Sequence, residues 1–360
     1  MKKIISGIQQ IGIGIPSVYE AFDWYRKHLN IDIPMFDDPG TAALMLPYTG
    51  GEPQNRHAIL AISIQGGGGF EIWQYTSRTP QPAMFDIALG DLGIFVAKVK
   101  SANVPAAFLN FKATNPELLL SKLEKDLSGN HHFFVKDPYG NIFQFVHSTD
   151  VFKSSDALNG GTFGVINGCS DMDKSIQFYK DILGYNQVMY DETGVFSDFA
   201  ALPGGDQQIR RVLLRHSEPR KGPFSRLLGS SEVELVQLTE KKGRKIFENR
   251  LWGDLGFIHL CFDVRGMAAL KKECADLGYP FTVDSVPDAE QKGGTFDMGE
   301  ASGHFTYTED PDGTLIEFVE THKIPIMKKL GWYLNLRKRN PEKALPDWML
   351  ATLRFNRKND

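Results

Sequence analysis

The stretch GDLGIFVAKV at residues 90–99 returns, little changed, as GDLGFIHLCF at 253–262. Each copy leads on to a second matching pair, NHHFFVKDPYGNIFQFVH at 130–147 and GHFTYTEDPDGTLIEFVE at 303–320. Both of these read as strand, Asp-Pro-x-Gly turn, strand. A repeat of this size is one supersecondary unit used more than once. It restricts the chain to folds that assemble copies of that unit.

Another pair repeats as well. QIGIGIPSVYEAFDWYRKHLNI at 10–31 parallels GVINGCSDMDKSIQFYKDILGY at 164–185. In each, a short strand passes through Ser17 or Asp171, a candidate N-cap, into an amphipathic helix rich in aromatic residues. Strands ending in GGFEIWQYT and SSEVELVQLT follow these helices. The chain therefore divides into four modules of strand, helix and several strands, at about 5–76, 90–149, 160–240 and 253–322, an α+β pattern. Grouped in sequence order they give an N-terminal domain over 1–150 and a C-terminal domain over 159–323. The remaining segment, 324–360, has helical spacing through Ile326, Leu330, Tyr333 and Leu334 and an excess of Lys and Arg, which predicts a basic helical tail.

With 360 residues, 42% of them hydrophobic and 23% charged, the chain can bury sizeable cores, and a formal net charge of -4 gives no support to nucleic-acid binding. No apolar run approaches the roughly 18 residues of a membrane span. The start, MKKIISGIQQIGIGIP, is interrupted by Gln9 and Gln10 and reads as mature sequence. Cys169, Cys261 and Cys274 are scattered without paired spacing, so a reducing cytoplasm is the expected compartment and small molecules the expected partners. QGGGGF at 65–70 lacks the Lys and Ser or Thr of a phosphate loop and reads as a hairpin turn. The loop RHSEPRKGPFSR at 215–226 has the charge to grip an anion and also fits a solvated surface loop.

The helix pattern DMDKSIQFYKDILGY, the closing hairpins with DPDG or DPYG and the fourfold module together resemble the vicinal oxygen chelate superfamily. Glyoxalase I, methylmalonyl-CoA epimerase, extradiol dioxygenases and fosfomycin or bleomycin resistance proteins belong to it. The likeness covers nearly all of residues 5–322. It implies βαβββ modules that pair to form two cupped mixed sheets, with a divalent metal inside a cup held by residues of the first and last strands of each module.

Carried onto this sequence, those positions are Gln10 and Glu71 in module one, Val96 or Phe95 and Gln144 in module two, Gly164 and Glu234 in module three, and His259 and Glu317 in module four. Pairing modules three and four would offer Glu234, His259 and Glu317, with Gly164 vacant. Pairing modules one and four would offer Gln10, Glu71, His259 and Glu317, a complete set similar to that of eukaryotic glyoxalase I. The leftover pair, modules two and three, would then be an inactive copy. The crossed pairing is favoured, with Glu234 as the alternative ligand.

One imidazole and several oxygens suit zinc, nickel, cobalt, manganese or iron. The resemblance implies a metal-dependent lyase, isomerase or epimerase acting through an enediolate or enolate on a small substrate with adjacent oxygens, with Glu317 or Glu71 as the base. If the turn closes tightly on Asp310 to Gly313, Thr306 faces Glu317 and His304 shares that face, which would make His304 a proton-transfer residue. An extradiol dioxygenase is the alternative, although Gly164 stands where that branch places a His. A metal-free binding or resistance protein is a further one. Four modules can satisfy each other in one chain, so both a monomer and a homodimer fit.

Overall fold

The computed structural model describes residues 2–286, 296–297, 302–327 and 332–358. Module one runs β1 (Ile4–Gly14), α1 (Val18–Leu29), β2 (Ile33–Thr41), β3 (Asn55–Ile62) and β4 (Gly69–Tyr75). Module two runs β5 (Gly93–Ser101), α2 (Val104–Thr114), β6 (Glu124–Lys125), β7 (His131–Lys136) and β8 (Ile142–His147). Module three holds β9 (Thr162–Gly168), α3 (Met172–Asp181), β10 (Gln187–Gly194), β11 (Ile209–Arg215), the one-turn α4 (Ser225–Leu228) and β12 (Glu232–Leu238). Module four holds β13 (Gly256–Arg265), α5 (Met267–Asp276), β14 (Val283–Asp284), β15 (Phe296–Asp297), β16 (Ser302–Glu309) and β17 (Leu315–Met327). In every module the first strand lies parallel to the last, with the helix as crossover.

The modules pair crosswise. β1 and β13 join antiparallel, so modules one and four share a sheet ordered β14-β16-β17-β13-β1-β4-β3-β2. β5 and β9 join the same way, and modules two and three share the sheet β10-β11-β12-β9-β5-β8-β7-β6. The halves 1–150 and 159–323 therefore do not each close a sheet of their own; every sheet takes one module from each half. The helices and the outer strand faces of both sheets share a single apolar core that includes Ile11, Tyr25, Phe143, Val165 and Leu260.

Two repeated contacts explain why the sequence repeats as it does. The first turn of a helix has unpaired N–H groups, and here the last strand of the same module supplies the acceptor. Gln74 Oε1 takes Val18 N at 2.9 Å and Gln237 Oε1 takes Met172 N at 2.9 Å. Glu320 takes Gly266 N at 3.0 Å and Met267 N at 3.2 Å. Each acceptor stands three residues after Glu71, Glu234 or Glu317, hence on the opposite face of the strand. Asp171 also caps α3 through Lys174 N at 3.1 Å, whereas Ser17 occupies the N-cap of α1 without a side-chain bond. The second contact docks the Asp-Pro turns. Tyr25 of α1 donates to Asp137 Oδ2 at 2.8 Å and Tyr179 of α3 to Asp310 Oδ2 at 3.1 Å, each bond crossing from one sheet to the other.

The tail begins as a strand where a helix was expected. β17 runs on to Met327 and pairs with β18 (Trp332–Asn335), Lys323 facing Asn335 and Pro325 facing Tyr333. Ile324, Ile326, Trp332 and Tyr333 are strand formers, and the open edge of β17 overrides the helical spacing; Leu330 lies outside the described residues. Helix appears later, as a short turn at Leu336–Lys338 and at Asp347–Ala351. There Leu336, Leu345 and Leu350 pack with Leu227 and Ile62, and Arg226 pairs with Asp347. Among the described residues no helix is long and apolar enough to cross a membrane.

Candidate metal centre

Crossed pairing sets β17, β13, β1 and β4 side by side at the middle of the ten-stranded sheet. In register, Cys261 stands beside Glu317, Gly12 beside both His259 and Glu71, and Gln10 beside Cys261. Gln10, Glu71, His259 and Glu317 thus converge on the concave face. Gln10 Nε2 donates to Glu71 Oε2 at 3.2 Å and to Glu317 Oε2 at 3.4 Å. His259 Nε2 lies 3.3 Å from Glu71 Oε2 and 3.1 Å from Glu317 Oε2.

The imidazole fits because Gly12 has no side chain. A Cβ at Gly12 would lie 2.3 Å from His259 Cε1 and 2.6 Å from Nδ1. His259 is fully buried, yet neither of its ring nitrogens makes an aligned hydrogen bond among the described residues. Burial alone would lower its pKa, but the carboxylates of Glu317 and Glu71 outweigh that and bring it to about 9. A proton on the imidazole thereby holds the place that a cation would take.

These donors fit a divalent ion. One ligand atom from each of Glu71, His259 and Glu317 can be chosen so that all lie within 4.8 Å of one another. Two carboxylates balance two positive charges, and neither imidazole nitrogen makes an aligned hydrogen bond among the described residues. Gln10 could join the set by turning its amide to present Oε1, since amide orientation follows the hydrogen-bond network.

The rest of this cup is aromatic. Trp73 lies two residues after Glu71 on the same strand face, and Tyr307 faces Glu317 across the β16–β17 pair. Trp252, from the segment before β13, lies nearly parallel to the His259 ring, 13° apart with centroids at 6.3 Å. Tyr307 meets His259 edge-on at 5.6 Å. The sequence reading missed all three, although the period of two from Glu71 already pointed to Trp73.

His304 is elsewhere. The turn holds five residues, Asp310 to Thr314, because Asp310 captures Asp312 N at 2.9 Å and Thr314 N at 2.8 Å. Tyr307, not Thr306, therefore faces Glu317, and a shift of one residue turns His304 to the opposite face. There it bonds Asp284 Oδ1 at 2.6 Å, while Asp284 Oδ2 accepts from Lys271 of α5 at 2.8 Å.

The second cup has the same strands and a different floor. Val96 lies in an apolar cluster with Phe95, Phe134 and Phe199. At Gly164 a Cβ would stand 2.0 Å from Glu232 O. Glu234, the alternative ligand, is fully buried between Lys98 Nζ at 2.6 Å, the Arg211 guanidinium and Tyr190 OH at 2.6 Å. Burial would raise its pKa, but Arg211 and then Lys98 hold it well below the usual carboxylate range. Lys98 also binds Glu232 at 2.7 Å, and Gln144 is hydrogen-bonded to His132 at 3.0 Å. A protein cation thus occupies the floor of this cup. The arginines of the 215–226 loop are engaged too, Arg215 with Glu232 at 2.6 Å and Arg220 with Leu183 O at 2.9 Å. QGGGGF is not a free turn; Gly67 N and Gly68 N bond Leu227 O and Thr162 O.

Residues 166–318 match the family model of the Glyoxalase/Bleomycin resistance protein/Dioxygenase superfamily. The superfamily's fold extends over most of the chain. Glyoxalase I from Zea mays is similar with a TM-score of 0.52 at 11% identity, over 89% of this chain and 92% of that one. A Bacillus subtilis protein provisionally assigned as a dioxygenase is similar with a TM-score of 0.54 at 14% identity, over 89% of this chain and 86% of that one. At these identities the likeness is one of fold. No curated protein matches the sequence.

Proposed function

We propose that the chain is a metal-dependent lyase or isomerase of the glyoxalase kind, acting on a small molecule with two adjacent oxygens. The observation that carries this reading is the convergence of Gln10, Glu71, His259 and Glu317 on one buried floor, with His259 lacking an aligned hydrogen bond among the described residues. When bound, a divalent metal would polarise the substrate's oxygens and stabilise the charge left as a neighbouring C–H proton departs.

Glu317 takes that proton. It is the more enclosed of the two carboxylates, and it faces Tyr307 in the strand register. The Tyr307 phenol is pushed well above its usual pKa by burial and by Glu317 and Glu71, so it stays a neutral donor beside the base. Glu71, the more open carboxylate, balances charge at the side from which substrate arrives. The aromatic wall excludes water and strengthens each of these interactions.

Metal analysis of the purified protein beside five variants tests the reading. Gln10→Ala, Glu71→Ala, His259→Ala and Glu317→Ala should lower metal content, and Glu234→Ala should leave it unchanged. Metal loss with Glu234→Ala but not Glu71→Ala would overturn the assignment. Oxygen uptake with catechols by iron-loaded protein would replace the isomerase reading with a ring-cleaving one.

A further inference from the structure

Resting on that reading, we infer that the substrate carries a flat apolar body, an aromatic or conjugated ring, beside its oxygen pair, and that Trp252 selects it. The donors of the floor are enclosed, so whatever binds there contacts the rings around them. Trp252 is stacked over His259, meets Trp73 edge-on at 4.6 Å and Tyr307 edge-on at 6.2 Å. Tyr75 in turn meets Trp73 at 4.7 Å. Walls of this kind gain most from a ring, through both buried area and edge-to-face contact.

Trp252 is also the wall residue with an unused polar group. It is 7% exposed, and its Nε1 is buried with no hydrogen-bond partner among the described residues. An unpaired buried donor is costly, and a substrate oxygen would relieve it. Its main chain is fixed, with Trp252 N donating to Tyr48 O at 2.9 Å and Trp252 O accepting from the Tyr75 hydroxyl. Among the described residues the indole itself is held by packing alone.

Charge narrows the class further. The arginines next to this wall are already engaged, Arg78 with Asp254 at 2.6 Å and Arg250 with the carbonyls of Ile246 and Leu255, both at 2.6 Å. With those arginines engaged, the wall favours a neutral body over an anionic peptide tail such as that of glutathione.

The test uses two bidentate oxygen chelators, acetohydroxamate and benzohydroxamate, titrated into metal-loaded protein and followed by tryptophan fluorescence and calorimetry. Benzohydroxamate should bind about tenfold tighter or more. Compared at equal metal loading, Trp252→Ala should abolish that preference, and Trp252→Phe should keep most of it. Equal affinities for the wild type would overturn the inference while leaving the metal centre standing, as would a preference untouched by Trp252→Ala. A protein that loads no divalent metal overturns the proposed function itself.

Discussion

Replacing Gly12 by Ala isolates the position of one proposed ligand without touching it. Gly12 does not use the left-handed backbone region, so Ala fits the strand conformation. Only its methyl group is at issue. That Cβ would lie 2.3 Å from His259 Cε1, 2.6 Å from Nδ1 and 2.8 Å from Nε2. Comfortable carbon contacts are about 3.5–4 Å, so the ring must move by on the order of 1 Å. Metal–nitrogen distances tolerate roughly 0.2 Å, so a ring displaced this far no longer ligates. Even disturbing a ligand's outer partners weakens a metal about 10–100-fold, and Gly12→Ala should do at least that. Overpacking should also lower stability by about 1–3 kcal/mol. Metal content after dialysis against graded chelator, with urea denaturation of the metal-free protein, measures both effects. In a His259→Ala background the methyl meets no ring, so adding Gly12→Ala should be close to neutral, a coupling of about 1 kcal/mol or more. Wild-type metal affinity in Gly12→Ala, or the same stability loss in both backgrounds, would refute the placement of His259 over Gly12.

Lys98→Met should cost about 3–5 kcal/mol, because Glu232 and Glu234 stay buried with one cation fewer; urea denaturation giving under about 1 kcal/mol would refute the network's role. Asp263 is buried with neither carboxylate oxygen hydrogen-bonded among the described residues, and burial pushes its pKa to about 7. Its folded pKa is raised, so its stabilising contribution is complete below about pH 4 and is lost as pH rises through 7. Asp263→Asn should therefore raise stability by about 2–4 kcal/mol at pH 8 and little at pH 4; equal gains at both would sink the argument. Burial would raise the Glu320 pKa, but His322, the Gly266 N–H and Arg265 bring it to about 2. That contribution is present above about pH 4.5 and disappears as pH falls through 2, so Glu320→Gln should cost about 2 kcal/mol at pH 7 and progressively less in acid. A pH-independent loss in denaturation curves would point to a packing effect instead.

The two faces of the strands carried different amounts of legible information. On the outer face the repeats are faithful: Gln74, Gln237 and Glu320 cap helices, while Asp137 and Asp310 receive Tyr25 and Tyr179, so aligning the copies fixed the register. That register is why Gln10, Glu71, His259 and Glu317 could be placed from sequence. It did not reach His304, because the length of the DPDG loop is decided by Asp310 capturing Thr314 N, and one residue there reverses a face. Nor did it reach Trp252, which lies between modules, where no copy constrains it. The inner face is free to diverge once the outer face holds the fold. In one cup the register leaves Gly12 under an imidazole; in the other it puts Lys98 between Glu232 and Glu234. The visible trace of that second outcome was a lysine inside an otherwise apolar run, IFVAKV. A buried lysine needs an anionic partner, and the nearest carboxylates belong to the module across the β5–β9 seam. Reading Lys98 as a cation seeking that pair, rather than Val96 as a missing ligand, would have identified from sequence which cup carries a protein cation on its floor.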